Sequence, residues 1–151
     1  MRKMTKTDII NLIREFGWGT LCMTGPDGNP YAIEFSYFLE GEDICGLVHP
    51  RGMTARCLAV NSHVCFKVCD SDRHCKSYRA VSCFGNAAFE ELTDQADINN
   101  TWDALVKQLG LPPAAYDKYK ARYQDGKRPL PLLRIRVDKT TGITNRSKKD
   151  Q

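Results

Sequence analysis

The chain is predicted to be a mainly β domain, built as a barrel with helices at its periphery. Three observations carry that reading: alternating apolar runs that recur between tight turns, a long strand-like segment interrupted by one glycine, and stretches whose apolar residues repeat at helical spacing. At 151 residues the chain is long enough for one compact domain and short for two. An apolar content of 42% beside 26% charged residues is that of a folded protein.

Thr5 is placed to cap an opening helix, with Asp8 three positions on as in a capping box. Ile9, Ile13 and Phe16 share a face and Gly17 stops the helix, which is expected to cover one opening of the barrel. Residues 19–24 and 30–38 form an antiparallel hairpin across Pro26-Asp27-Gly28-Asn29, a turn whose residues suit positive φ. In the second strand Tyr31, Ile33, Phe35 and Tyr37 point one way and Ala32, Glu34, Ser36 and Phe38 the other. One face is core, and the other meets a ligand or a subunit. Residues 44–48 form a third strand ending at His49, and the Pro50-Arg51-Gly52 turn leads into a short helix carrying Met53, Cys57, Leu58 and Val60.

Residues 64–69 alternate again. A long fifth strand, 78–89, contains Gly85, where a bulge lets one strand serve two parts of a barrel. Thr93 caps a helix with the stripe Ile98, Trp102, Leu105, Val106 and Leu109, ended by Gly110 and Pro112-Pro113. It is expected to pack on the barrel. A short helix with Tyr116, Tyr119 and Tyr123 on one side precedes a last strand, 132–137, with Arg134 and Arg136 on its other face, and Gly142 marks a closing turn. Trp18 and Trp102 are read as core. Residues 1–145 are taken as a single domain and residues 146–151 as a flexible tail.

Composition narrows the function classes. No apolar stretch escapes charge for long and the start lacks an apolar h-region, so neither a membrane span nor a secretory signal is visible, and the expected location is the cytoplasm. Seven cysteines, scattered through apolar runs, suit buried thiols in a reducing compartment. Cys69 and Cys75, with His74 beside the second, are too few ligands and wrongly spaced for a zinc site, so no metal is expected; a thiol sensor built on the two cysteines is a further reading. The net charge of +4 draws on Lys118, Lys120, Arg122, Lys127 and Arg128, and on Arg146, Lys148 and Lys149 in the tail. Without interleaved exposed aromatics on a basic element this reads as a solvated face, with no nucleic acid as partner.

The segment from His49 to Arg56 has the make-up of a phosphate cradle. A helix start offers free N–H donors and a positive dipole end, Gly52 allows close approach, and the Thr54 hydroxyl with Arg51 and Arg56 adds charge-assisted bonds. Around it, Gly19-Thr20-Leu21, Asp27-Gly28-Asn29-Pro30-Tyr31, Phe35-Ser36-Tyr37, His49 with Gly52, and Tyr78-Arg79-Ala80-Val81 followed by Gly85 stand in a fixed order. In these motifs, from Asp8 to about Glu91, the chain resembles the pyridoxamine 5′-phosphate oxidase-related FMN-binding split barrels, and within them the nitroimidazole-resistance branch.

That resemblance implies a six-stranded split β-barrel homodimer with FMN at the subunit interface. The flavin ring would lie against Phe35, Ser36 and Tyr37. The phosphate and ribityl end would meet His49, Arg51, Gly52, Met53 and Thr54, and Tyr78 and Arg79 would close the pocket. Family members carry a basic residue two positions after the glycine, where this chain has Thr54, so Arg51 or Arg56 must replace its charge. A proline common at the position of Glu34 is also missing, and a carboxylate facing the flavin there would lower its reduction potential. The implied activity is reduction of a small organic acceptor, such as a nitroaromatic, with electrons from NAD(P)H or another reductase. A phosphate or ribityl contact is the first role expected of His49, which is also the leading candidate proton donor, ahead of Tyr78, histidine being the side chain that ordinarily titrates near neutrality. The basic C-terminal motif of a true pyridoxamine phosphate oxidase is missing from T-G-I-T-N-R. The alternative is a non-catalytic protein holding flavin or haem for storage, sensing or redox buffering, with His49, His63, His74 or a cysteine as a haem ligand.

Overall fold

The computed structural model describes residues 1–126 and 128–147; Lys127, Lys148 and Lys149, and the part of the expected tail from 148 to 151, lie outside the described residues. Helix α1 (Lys6–Glu15) starts on the capping box read in the sequence: Thr5 Oγ1 accepts from the Asp8 N–H and the Asp8 carboxylate accepts from the Thr5 N–H. Strands β2 (Trp18–Thr24) and β3 (Pro30–Glu40) form the predicted hairpin, with Gly28 at φ 81 in its turn. Strand β4 (Asp43–Gly46) is followed by helix α2 (Met53–Val60), then by strands β5 (His63–Ser71) and β6 (Tyr78–Leu92). Helix α3 (Gln95–Gln108), the short α4 (Asp117–Lys120) and strand β7 (Leu130–Thr144) complete the chain, and a two-residue strand β1 (Arg2–Lys3) precedes them all.

All pairings are antiparallel, and β2, β3, β4, β7, β6 and β5 close a six-stranded ring, to which β1 adds on the far end of β7. Closure leaves no strand edge along most of the ring. The two longest strands, β6 and β7, pair along almost their whole length with a register shift at Phe84/Gly85. There the predicted bulge bends the strand, and a side chain on Gly85 would collide with the Arg136 carbonyl.

The apolar residues divide into two cores. Inside the barrel lie Leu21, Met23, Phe35, Tyr37, Phe66, Val68, Val81 and Ile135, closed at one end by Ile9, Leu12 and Ile13 of α1. The second core is a layer on the barrel's outer surface, where Phe38, Cys45, Leu130 and Leu132 meet Ile98, Trp102 and Leu105 of α3. Two polar ties fix the helices, one joining α1 to the barrel and one joining α3 to α1. The Tyr37 hydroxyl donates to the Ile13 carbonyl at 2.7 Å, and Gln108 Nε2 donates to the carbonyls of Ile13, Arg14 and Phe16 at the end of α1.

Several local expectations shift. Asp94, not Thr93, caps α3, accepting from the Ala96 and Asp97 N–H groups. The third strand leaves the sheet at Gly46 rather than reaching Val48, and the last strand runs to Thr144 rather than Val137. Gly142 sits inside that strand, buried, where a Cβ would press on Ile9 and Met4; it makes room for α1 rather than a turn. Trp18 is 56% exposed, while Trp102 is core as read. At the start of the expected tail, Arg146 is held by Ser77 and Asp70. No helix among the described residues is long and apolar enough to cross a membrane.

Candidate functional site

The strand alternation read in the sequence decides which part of β3 a ligand could touch. Phe35 and Tyr37 point into the barrel: Phe35 packs on Phe66 with ring centroids 5.2 Å apart, and Tyr37 is fully buried. Burial, with the Cys83 thiol adding to it, pushes the Tyr37 phenol well above its ordinary range. Ser36 and Glu34 face outward. Glu34 is exposed and accepts a hydrogen bond from Thr20 Oγ1 at 2.5 Å. Because β4 pairs with β3 only from Tyr37 to Glu40, the stretch from Pro30 to Ser36 has a strand partner, β2, on one side only. Any ligand contact of Phe35 is therefore through the backbone of this edge, whereas Tyr37 pairs with Gly46 of β4, donates its N–H to the Gly17 carbonyl and lies outside it.

The segment after β4 is shaped by Gly52, whose φ of 103 with ψ of −158 belongs to glycine alone. It lies at the N-cap of α2 with no side chain closing the helix end, and an added Cβ there would meet nothing within 4 Å. The first internal bond runs from the Arg56 N–H to the Gly52 carbonyl, so the Met53, Thr54 and Ala55 N–H groups have no helical acceptor. His49 Nδ1 accepts the Arg51 N–H at 3.2 Å, which in the neutral ring leaves the proton on Nε2 as an outward donor. Arg51 and Arg56 are exposed, and neither guanidinium has an ion-pair partner among the described residues. Met53 is 37% exposed, whereas Thr54 is buried at 7% and faces the protein.

Tyr78 and Arg79 lie elsewhere in the chain. Tyr78 pairs with Ser71 at one end of the nine-residue β5, whereas His63 at its other end is bonded to Asn61 just after α2. A strand of that length spans about 25 Å, and the eight-residue α2 covers about 12 Å. A single copy of the chain thus brings His49, Arg51, Gly52, Met53 and Arg56 together and keeps Tyr78 and Arg79 apart from them. The Arg79 guanidinium is also engaged, with Glu15 at 2.9 Å and Asp70 at 2.6 Å. Burial alone would raise the Asp70 pKa, but hydrogen bonds and charge from Arg79 and Arg146 outweigh it and hold the carboxyl below its ordinary value.

Two clefts, one between α1 and the β3–β4 turn and one between α3 and β3 around Arg134, are lined by none of the predicted site residues. The candidate site is an open surface instead. Trp18, the Cα partner of Ser36, belongs to the outward face, and the alternation of Gly19, Leu21 and Met23 toward the core was the signal that could have placed it. In the polar loop, Cys75 sits at φ 54 and Cys69 pairs with Ala80; no group of three or more metal-ligating side chains is found among the described residues.

No family model and no curated protein matches the chain. Solved structures do. A conserved hypothetical protein from Mycobacterium tuberculosis superposes with a TM-score of 0.74 at 22% identity, covering 95% of this chain and 86% of that one. A candidate 5-nitroimidazole antibiotic resistance protein from Bacteroides thetaiotaomicron gives a TM-score of 0.71 at 20% identity, covering 93% and 85%. A FAD binding protein from Mycobacterium smegmatis gives 0.63 at 15% identity, covering 95% and 98%. The likeness read in a handful of motifs thus extends over nearly the whole chain, and what it establishes is the fold: a closed six-stranded split barrel with one added strand and peripheral helices.

Proposed function

We propose that the chain is an FMN-binding oxidoreductase of the split-barrel class that reduces a small organic acceptor, such as a nitroaromatic, as a cytoplasmic homodimer with flavin at the subunit interface. The observation that carries the reading is the start of α2. Three backbone donors, opened by the conformation of Gly52, stand beside two arginines that have no carboxylate partner among the described residues and an imidazole whose Nδ1 accepts from the Arg51 N–H, leaving Nε2 to donate. That donor set suits a phosphate monoester, with the dipole of the helix adding to the field. The buried Thr54 is no substitute for a basic residue, so the charge falls to Arg51 and Arg56.

Bound FMN would supply the hydride and electron transfer. The protein's part is positional. The free edge of β3 at Phe35 and Ser36 offers backbone groups for the ring, His49 Nε2–H is a donor for a phosphate or ribityl oxygen, and Trp18 beside Ser36 is an exposed apolar surface that a ring or a second subunit would cover. Because one copy leaves this surface open and Tyr78 distant, closure of the pocket is assigned to the second copy. A solved neighbour described as FAD binding supports a flavin as the ligand class.

The test is the absorbance spectrum of protein purified without added cofactor, followed by FMN titration of the wild type and of Arg51→Ala. Visible flavin bands, with weaker binding by the variant, are expected, and sedimentation should show a dimer. A Soret band instead would turn the reading to the haem-binding alternative, and no FMN binding by the wild type at tens of micromolar would end the flavin reading.

A further inference from the structure

Strands β2 and β5 pair in a register that sets Cys22 directly opposite Cys65. Their neighbours Leu21 and Phe66 are fully buried, so alternation sends both cysteines to the outer face, where each is half-buried and free. Directly opposed residues on antiparallel strands have Cα atoms about 4.5–5.5 Å apart, inside the roughly 4.4–6.8 Å that a disulfide spans. The row continues through Ala32 on β3 and Phe84 on β6, which bring no carboxylate to the sulfurs. The thiol pair is thus built by register.

We propose that Cys22 and Cys65 form a cross-strand dithiol that binds reagents bridging two sulfurs and is closed to a disulfide by low-molecular-weight disulfides. In the exchange, one protein thiolate attacks the small disulfide, whose S–S bond breaks to release one small thiol. The second protein thiol then attacks the protein-bound sulfur, forming the Cys22–Cys65 bond and releasing the other. The protein loses two electrons and two protons, and the small disulfide gains them. Burial, with the Cys22 sulfur adding to it, outweighs the Ser82 hydrogen bond and the Lys67 charge and raises the Cys65 thiol above its ordinary value. Burial pushes the Cys45 and Cys83 thiols up to about 12, and those two also lack solvent access, which Cys22 and Cys65 keep. The pair Cys69 and Cys75 lacks this arrangement, because Cys69 opposes Ala80. Neither flavin nor a second copy of the chain enters the proposal.

The experiment treats reduced, folded full-length protein with oxidised glutathione, and separately with phenylarsine oxide, and reads intact mass and a non-reducing peptide map. Expected are the loss of two hydrogens per chain with Cys22 linked to Cys65, and one arsenical per chain bridging the same two residues. Cys22→Ser and Cys65→Ser should each lose both adducts, while Cys69→Ser with Cys75→Ser retains them. Circular dichroism checks that the variants fold, and the wild-type map stands alone if one does not. Bridging of Cys22 to Cys65 by either reagent supports the proposal. Mixed disulfides alone with no arsenical bridge, bridging of other cysteines, or linkage between two chains overturns it.

Discussion

Arginines are used in opposite ways in two regions of this barrel. At the end of β6 covered by α1, Arg79 is held by Glu15 and Asp70, and on β7 Arg134 meets Glu40 at 2.8 Å, Asp43 at 3.3 Å and Glu90 at 2.7 Å. Both side chains are largely covered, at 13% and 15% exposure. At the start of α2, Arg51 and Arg56 stand in solvent with no carboxylate paired to them among the described residues, next to backbone donors left open by a glycine. A guanidinium matched by acids is part of the scaffold, because removing it strands charges that are already partly desolvated. One left unmatched costs the fold little to lose and is available to an anion.

The largest effect is expected from Arg79→Met, which should lower unfolding stability by about 2–3 kcal/mol in a denaturant titration while leaving FMN affinity in place. Its pH dependence has a definite sign. Asp70 has its pKa held below the ordinary 3.8, so its contribution is present above that value and is lost as pH falls through the folded-state pKa. The gap between wild type and variant should therefore narrow in acid; a gap that widens would assign the stabilisation to another group. Loss of FMN affinity with unchanged stability would erase the distinction between the two regions.

Replacing Arg51 and Arg56 together by Gln should do the reverse. Stability is expected to stay within about 0.5 kcal/mol, while the FMN Kd rises by tenfold or more, about 1.4–3 kcal/mol. Isothermal titration and thermal melts on the same sample separate the two. Gly52→Ala should show both effects at smaller size, costing about 1–2 kcal/mol of stability for the strained φ and weakening FMN several-fold. The smallest change is expected from Thr5→Ala, which removes one half of the capping box and should cost about 1 kcal/mol with no change in flavin binding.

Much of the fold was legible because it is local. Thr5 with Asp8, the Asp27-Gly28-Asn29 turn and the alternation of β3 each act over a few residues, and each stands where the spacing put it. The errors fell where a distant element decided. Gly142 looks like a turn residue until α1 is packed against β7, and β7 runs on to Thr144 because β6 continues beside it. Trp18 looks like core until its strand neighbours Leu21 and Phe66 are seen to take the inner face. For the candidate site, the glycine with its flanking arginines was readable from order alone, since a helix start makes its own donors.

The sequence by itself determined the class of the fold and the composition of the α2 start, because alternation, capping and glycine conformation are properties of neighbouring residues. Only the tertiary structure decided which side chains remain free. Strand pairing engages Arg79 with Asp70, turns Phe35 and Tyr37 inward and places Cys22 opposite Cys65, while the packing of α2 on the barrel buries Thr54. These outcomes follow from register between strands far apart in the chain, and register is set by which apolar rows can share one interior.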